Sequence, residues 1–166
     1  SSSFFNDWKI SAPQRIASIT ACNTTAKMAT QTVDAYAAGE KDQAAAIEKL
    51  GVYEWCKRTL HYRVDASRVS PELAEWWARD MDRTPRHVAA AVFRCFSTAD
   101  LWPRLKEITA PTLLICGDNC PAIRKQQLAD MAKTLPRGKI VNLAGLDYGI
   151  HFLEPQLCVS AVRQFL

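Results

Sequence analysis

The stretch Pro111 to Pro121, PTLLICGDNCP, decides how the chain is read. Thr112 to Cys116 are five apolar or β-compatible residues in a row, and the run stops at Gly117. A short continuous apolar run closed by a turn signal predicts a strand buried on both faces, as inside a parallel sheet. Gly117-Asp-Asn then leads through Pro121 into a helical pattern carried by Ile123, Leu128, Met131, Ala132 and Leu135. In open α/β sheets, ligands and catalytic groups gather beyond the C-terminal ends of such strands, so Gly117 to Cys120 is the first place to look for chemistry.

Working outward, Lys139-Ile-Val-Asn-Leu143 predicts a second strand after a helix over 122–135, and a final helix runs from about Pro155 to Leu166. Upstream, Arg15 to Cys22 predicts a strand ended by Asn23-Thr-Thr, and SSSFFNDWKISA before it has the apolar spacing of a helix. Between Ala26 and Leu105 the patterns are helical, with Gly39 as one separator. Ser70-Pro71-Glu72 and Thr84-Pro85 predict helix starts, a hydroxyl N-cap followed by proline. The helix after Ser70 carries Leu73, Trp76 and Trp77 on one side. The helix after Thr84 carries Val88, Ala91, Val92, Cys95 and Phe96. Packing between helices is the plain reading of these aromatics. The alternative is that Trp55, Trp76, Trp77 and Trp102 line a substrate pocket.

The whole is an α/β pattern with a helical insert: 1–25 as helix and strand of the core, 26–105 as a lid, 106–166 as the rest of the core. Three parallel strands make a poor sheet, and the first would leave an open apolar edge. The expectation is therefore a partner, an upstream segment or second chain, that completes the sheet.

The 166 residues, 48% hydrophobic and 23% charged, fit an ordinary globular domain with one core. A net charge of +4, with basic residues scattered among acidic ones, argues against a nucleic-acid partner. No apolar run is long enough to span a bilayer, and Ser1 to Trp8 lacks the shape of a signal peptide. The six cysteines fall singly in apolar patterns without a CxxC pair. That predicts reduced thiols in a cytoplasmic protein, with no metal and no cofactor.

The order of these elements resembles the C-terminal part of an α/β-hydrolase, particularly the small-ester and enol-lactone hydrolases. Pro13-Gln-Arg15-Ile16 and Cys22-Asn-Thr-Thr25 resemble the family's sixth strand and its lead-in. Asp100-Leu-Trp-Pro-Arg-Leu-Lys-Glu-Ile108 with Ala110-Pro-Thr-Leu-Leu-Ile-Cys-Gly117 resembles the re-entry into the seventh. Ala144-Gly145 through Glu154-Pro155, with Val162 to Leu166, resembles the closing loop and helix. The resemblance covers essentially the whole chain. It implies that 26–102 is the helical cap, and that the nucleophile elbow and oxyanion loop lie upstream. Counted back without gaps from Pro13, the nucleophile falls just before Ser1.

For the rest of the triad, the resemblance places the acid three residues past Gly117, on Cys120, and the family's Gly-His pair on Asp147-Tyr148. A thiol with an ordinary pKa of ~8.5 is a poor substitute for a carboxylate. Asp118 is the nearest carboxylate, although residues there often brace the turn. His151 is the histidine near the rim, and Gly149 permits an unusual loop that could bring it in; His61 and His87 fall in the helical insert.

Two readings follow. One is a hydrolase of a small ester, thioester or lactone, with an upstream nucleophile and His151 and Asp118 as base and acid, or with Tyr148 or His151 as an acid or base on a bound carbonyl compound. The other is a relative without this catalysis that binds a small molecule or a protein, favoured by Cys120 and Tyr148 at the triad positions. A redox or metal site from Cys116, Cys120 and His151 is a weaker third.

Overall fold

The computed structural model describes residues 13–166. The helix read over the opening segment, and Ser1, lie outside them. The described chain divides into two compact units, one of residues up to Ala26 together with Asp100–Leu166, the other Lys27–Ala99.

The first unit holds a parallel sheet of β1 (Ile19–Cys22), β2 (Thr112–Gly117) and β3 (Gly138–Leu143), in the order β1-β2-β3. Ile19 pairs with Thr112 and Cys22 with Ile115; on the other side Thr112 pairs with Gly138 and Gly117 with Leu143. The central strand is the PTLLICG run, and all six of its residues are buried. Successive side chains of a strand point to opposite faces, so its residues divide between two cores. Leu114 and Cys116 pack with Leu105, Ile108, Leu128, Met131 and Leu135. Leu113 and Ile115 pack with Leu146, Ile150, Cys158 and Ala161. Complete burial of an aliphatic side chain contributes about 1.5–3 kcal/mol, so Leu113, Leu114 and Ile115 are a main hydrophobic anchor.

The helices of this unit follow from that division. α6 (Ala122–Thr134) presents Leu128 and Met131 to the first core, while α7 (Ile150–Leu153) and α8 (Pro155–Phe165) present Ile150, Cys158 and Ala161 to the second. Ile123, read as part of the buried stripe of α6, is exposed instead. It lies in the first turn, ahead of the face that meets the sheet.

β1 is shorter than the reading from Arg15. Pro13–Arg15 form a single 3₁₀ turn, and the ladder begins where the Ile19 N–H reaches the Pro111 carbonyl at 2.9 Å. Pro111 has no N–H to continue it. Among the described residues no strand pairs with the other edge of β1.

The second unit is helical: α1 (Thr30–Tyr36), α2 (Gln43–Leu50), α3 (Val52–Thr59), α4 (Pro71–Asp82) and α5 (Arg86–Thr98). Asp42 caps α2, its carboxylate accepting from the Ala45 N–H at 2.7 Å. Ser70 caps α4 as read, accepting from the Leu73 N–H at 3.2 Å with Pro71 at the first helical position. Thr84 does not cap α5. Pro85 stays extended, with ψ 135°, outside the helix, and its carbonyl takes the first helical bonds from Val88 and Ala89.

The core of this unit is Ala44, Ala46, Ile47, Val52, Trp55, Ala89 and Ala90, with Phe93 packed against it. The buried residues of α5 are thus Ala89 and Ala90, with Phe93 packed against the core; of the stripe read over Val88, Ala91, Val92, Cys95 and Phe96, Val92 and Phe96 are half-buried and Val88, Ala91 and Cys95 are exposed. α5 is apolar on several sides, and small alanines let it approach a neighbouring helix closely, so packing chose the face. Trp76 is likewise exposed at 54%, and the buried residue of α4 is Ala78.

Gly117 is fixed by a close approach: a Cβ there would lie 2.1 Å from the Leu146 carbonyl oxygen. Gly117→Ala is expected to destabilise the protein by at least ~2 kcal/mol, because a backbone carbonyl has little room to yield. Urea unfolding of the full-length protein checks this.

Candidate functional site

Three reversals of chain meet beyond the C-terminal ends of the strands. After β1, Asn23 turns with a left-handed φ of 49°, a conformation asparagine tolerates better than most residues. After β2, the Asp118 N–H reaches the Leu143 carbonyl at 3.1 Å and the Asn119 N–H reaches the Leu146 carbonyl at 2.8 Å. These bonds lash the second turn to the third, where Gly145 has φ 70° and Gly149 φ 74°.

Asp118 is part of this lashing. Its Oδ1 accepts from the Gly145 N–H at 2.7 Å, so the carboxylate braces the turn. His151, on α7, stands against the Phe152 ring with centroids 4.3 Å apart. It makes no hydrogen bond or ion pair with any described residue, and the influence on its pKa is partial burial, which lowers it. No described carboxylate bears on the imidazole. Asp118 and His151 are therefore not assembled as an acid–base pair.

Cys120 is buried, and burial pushes its thiol pKa up; Arg124 and Lys125 pull it down and Asp147 pushes it up. It stays a neutral thiol at pH 7. Tyr148 is half-buried, and burial raises its phenol too, opposed by Arg124. A protonated phenol can donate a hydrogen bond but has no capacity as a base. Cys116 is pushed up to about 11, chiefly by burial, and its Sγ donates to Asn142 Oδ1 at 2.8 Å across the β2–β3 pair. Among the described residues no group of three or more histidine, cysteine or acidic side chains is placed to hold a metal.

The residue that sequence reasoning missed is Arg124, in the first turn of α6. Its Nη1 donates to the Asn23 carbonyl at 2.8 Å, and its guanidinium carbon lies 4.7 Å from the centroid of the Tyr148 ring. From the helix after β2, one cation thus ties the ends of β1 and β3. Asn23 Nδ2 adds a bond to the Asp147 carbonyl at 3.3 Å. Asn23 Oδ1 and Thr24 Oγ1 are buried there without a hydrogen-bond partner. The only sequence signal for Arg124 was its place just past Pro121.

The four tryptophans are divided between the two units. Trp55 is wholly buried and its indole N–H donates to the Tyr36 carbonyl at 2.8 Å; Trp76 is exposed and Trp77 half-buried on α4. Trp102 belongs to the other unit, packed against the first core of the sheet.

No family model matches the sequence, and no curated protein matches it. Solved structures do. The chain is similar to the enol-lactonase of Burkholderia xenovorans, with 19% identity and a TM-score of 0.78 over 96% of this chain and 60% of that one. It is similar to a hydrolase of Pseudomonas aeruginosa, with 22% identity and a TM-score of 0.77 over 96% of this chain and 59% of that one. MenH from S. aureus matches at 20% identity and a TM-score of 0.72, over 91% and 59%. The chain has the fold of the C-terminal part of an α/β-hydrolase, and it spans about 60% of the length of the structures it matches.

Asp118→Ala is expected to cost about 1–3 kcal/mol, since it strips the Gly145 N–H of its acceptor. Asp118→Asn keeps an acceptor oxygen and is expected to cost less than half as much. Chemical denaturation of the two variants side by side separates a bracing role from a charge-dependent one.

Proposed function

We propose that this chain is the downstream portion of an α/β-hydrolase-fold protein that holds a small ester, thioester or lactone at the C-terminal rim of its sheet without hydrolysing it through an acid–histidine relay. The observation that carries this is the bond of the Asp118 carboxylate to the Gly145 N–H while no described carboxylate bears on His151. Acyl transfer by a serine triad needs a histidine held in one tautomer by an acid, and loss of that acid costs about 10⁴ in turnover. Cys120 and Tyr148, both neutral at pH 7, stand where the resemblance places the acid and the histidine. An upstream segment or partner chain, pairing with the outer edge of β1, completes the sheet in this reading.

The second reading is a working hydrolase whose upstream segment brings the nucleophile and oxyanion donors, with His151 as base. One observation favours it. Burial keeps His151 neutral at pH 7, the state a base requires. The likeness to solved hydrolases and lactonases supports the substrate class in both readings.

The full-length protein and its Asp118→Asn/His151→Ala double variant are compared on p-nitrophenyl acetate and a small aliphatic lactone. The first reading predicts that turnover of either compound changes less than about twofold, since neither side chain enters the chemistry. A fall of a hundredfold or more, within the ~10²–10⁴ range of general acid–base catalysis, establishes the second.

A further inference from the structure

We propose that Cys22 and Cys158 form a modification site, at which a hydroperoxide closes an internal disulfide between β1 and α8. The proposal does not rest on either reading of the rim. Strand alternation sets where Cys22 points. Ile19 and Ala21 belong to the first core of the sheet, so Cys22 faces the second. It packs there against the cluster of Leu113, Ile115, Leu146, Ile150, Cys158 and Ala161. Cys22 is the register partner of Ile115, and α8 lays its two buried residues, Cys158 and Ala161, on that same face. The two thiols are near enough to bear on each other's ionisation: Cys158 raises the pKa of Cys22, and Cys22 lowers that of Cys158. Among the described charges, Glu154 also bears on Cys158.

The other cysteines lack this combination of a neighbouring thiol and an approach. Cys116 and Cys120 bear on one another too, but both are buried, and the Cys116 thiol is engaged by Asn142. Cys56, buried with its Sγ 3.4 Å from Met81 Sδ, and the exposed Cys95 lie in the helical unit. Cys22 is half-buried, in a strand whose other edge no described strand covers. That leaves an approach for an oxidant as small as hydrogen peroxide.

The chemistry takes two steps. The Cys22 thiolate attacks one peroxide oxygen, the O–O bond breaks, hydroxide leaves, and Cys22 becomes a sulfenic acid. The Cys158 thiolate then attacks the Cys22 sulfur, forming the S–S bond and expelling a second hydroxide. The protons given up by the two thiols convert both hydroxides to water. Two thiols are thereby oxidised, the peroxide is reduced, and no further co-reactant is needed. Burial pushes the Cys22 thiol up to about 11 and raises Cys158 as well, so both are protonated at pH 7 and the reaction is slow. The pair stays reduced under brief exposure and closes under sustained oxidant. Once formed, the bond ties the end of β1, next to Asn23, to the helix that follows His151.

In the test, the full-length protein is incubated with hydrogen peroxide in mildly alkaline buffer, then unfolded in iodoacetamide, digested and mapped by mass spectrometry. The thermal midpoint is measured before and after oxidation. The expected product is a Cys22–Cys158 crosslink within one chain, reversed by dithiothreitol. The midpoint is expected to rise by about 5 °C or more, because the bond closes a long loop. In Cys22→Ser, Cys158 is recovered alkylated and the midpoint stays where it was. Recovery of both residues as alkylated thiols, or of Cys22 as a sulfinic acid, overturns the proposal. A disulfide from either residue to a different cysteine does the same. So does a crosslinked product whose midpoint fails to rise, since the sulfurs then meet only after β1 and α8 part.

Discussion

The structure depends on one strand being buried on both faces. Once Thr112 to Gly117 have no solvent-facing side, two layers must cover them, and the alternation of side chains assigns Leu114 and Cys116 to one and Leu113 and Ile115 to the other. α6 then has to lie on the first face and α7 with α8 on the second. The turns that make these connections are crowded against one another, to the point where Gly117 leaves no room for a Cβ beside the Leu146 carbonyl. The rim is therefore a by-product of the packing, shaped before any chemistry is placed on it.

That origin explains what the rim residues do. Asp118 and Arg124 look like catalytic groups by type, yet each is used as a strut, one to the Gly145 N–H and the other to the Asn23 carbonyl and the Tyr148 ring. Backbone donors and acceptors in crowded reversals need partners, and charged side chains are strong ones. A carboxylate braced in this way orients a histidine only if its other oxygen reaches the ring, and no described carboxylate bears on the His151 imidazole. In the helical unit the half-buried Arg63 guanidinium shows the reverse pattern, with the Trp55 and Tyr36 rings against it and no acid among the described residues.

What the sequence made legible follows the same physics. A continuous apolar run ending in glycine had one good explanation, and the strand at its centre, its parallel neighbours and the flanking helices were readable from it. The Ser70 cap was readable because serine and proline have narrow roles at helix starts. The buried face of α5 was not readable, because an apolar residue occurs on nearly every side of Val88 to Phe96 and only the neighbouring helix decides which face is covered. The length of β1 was hidden too, being set by where its partner strand loses an N–H at Pro111. At the rim, the positions of Asp118 and His151 could be read but not their partners. Arg124 was invisible as a functional residue because its contacts are distant in sequence, at Tyr148 and, 101 positions away, at Asn23.

The central claim is that no described carboxylate is coupled to His151. The direct measurement is the pH titration of the His151 ring by ¹⁵N NMR, in the native protein and in Asp118→Asn. The account predicts a midpoint below the ordinary 6.5, because burial disfavours the imidazolium, and the same midpoint in the variant. A midpoint above 6.5 that falls by roughly one unit or more when Asp118 loses its charge would contradict it.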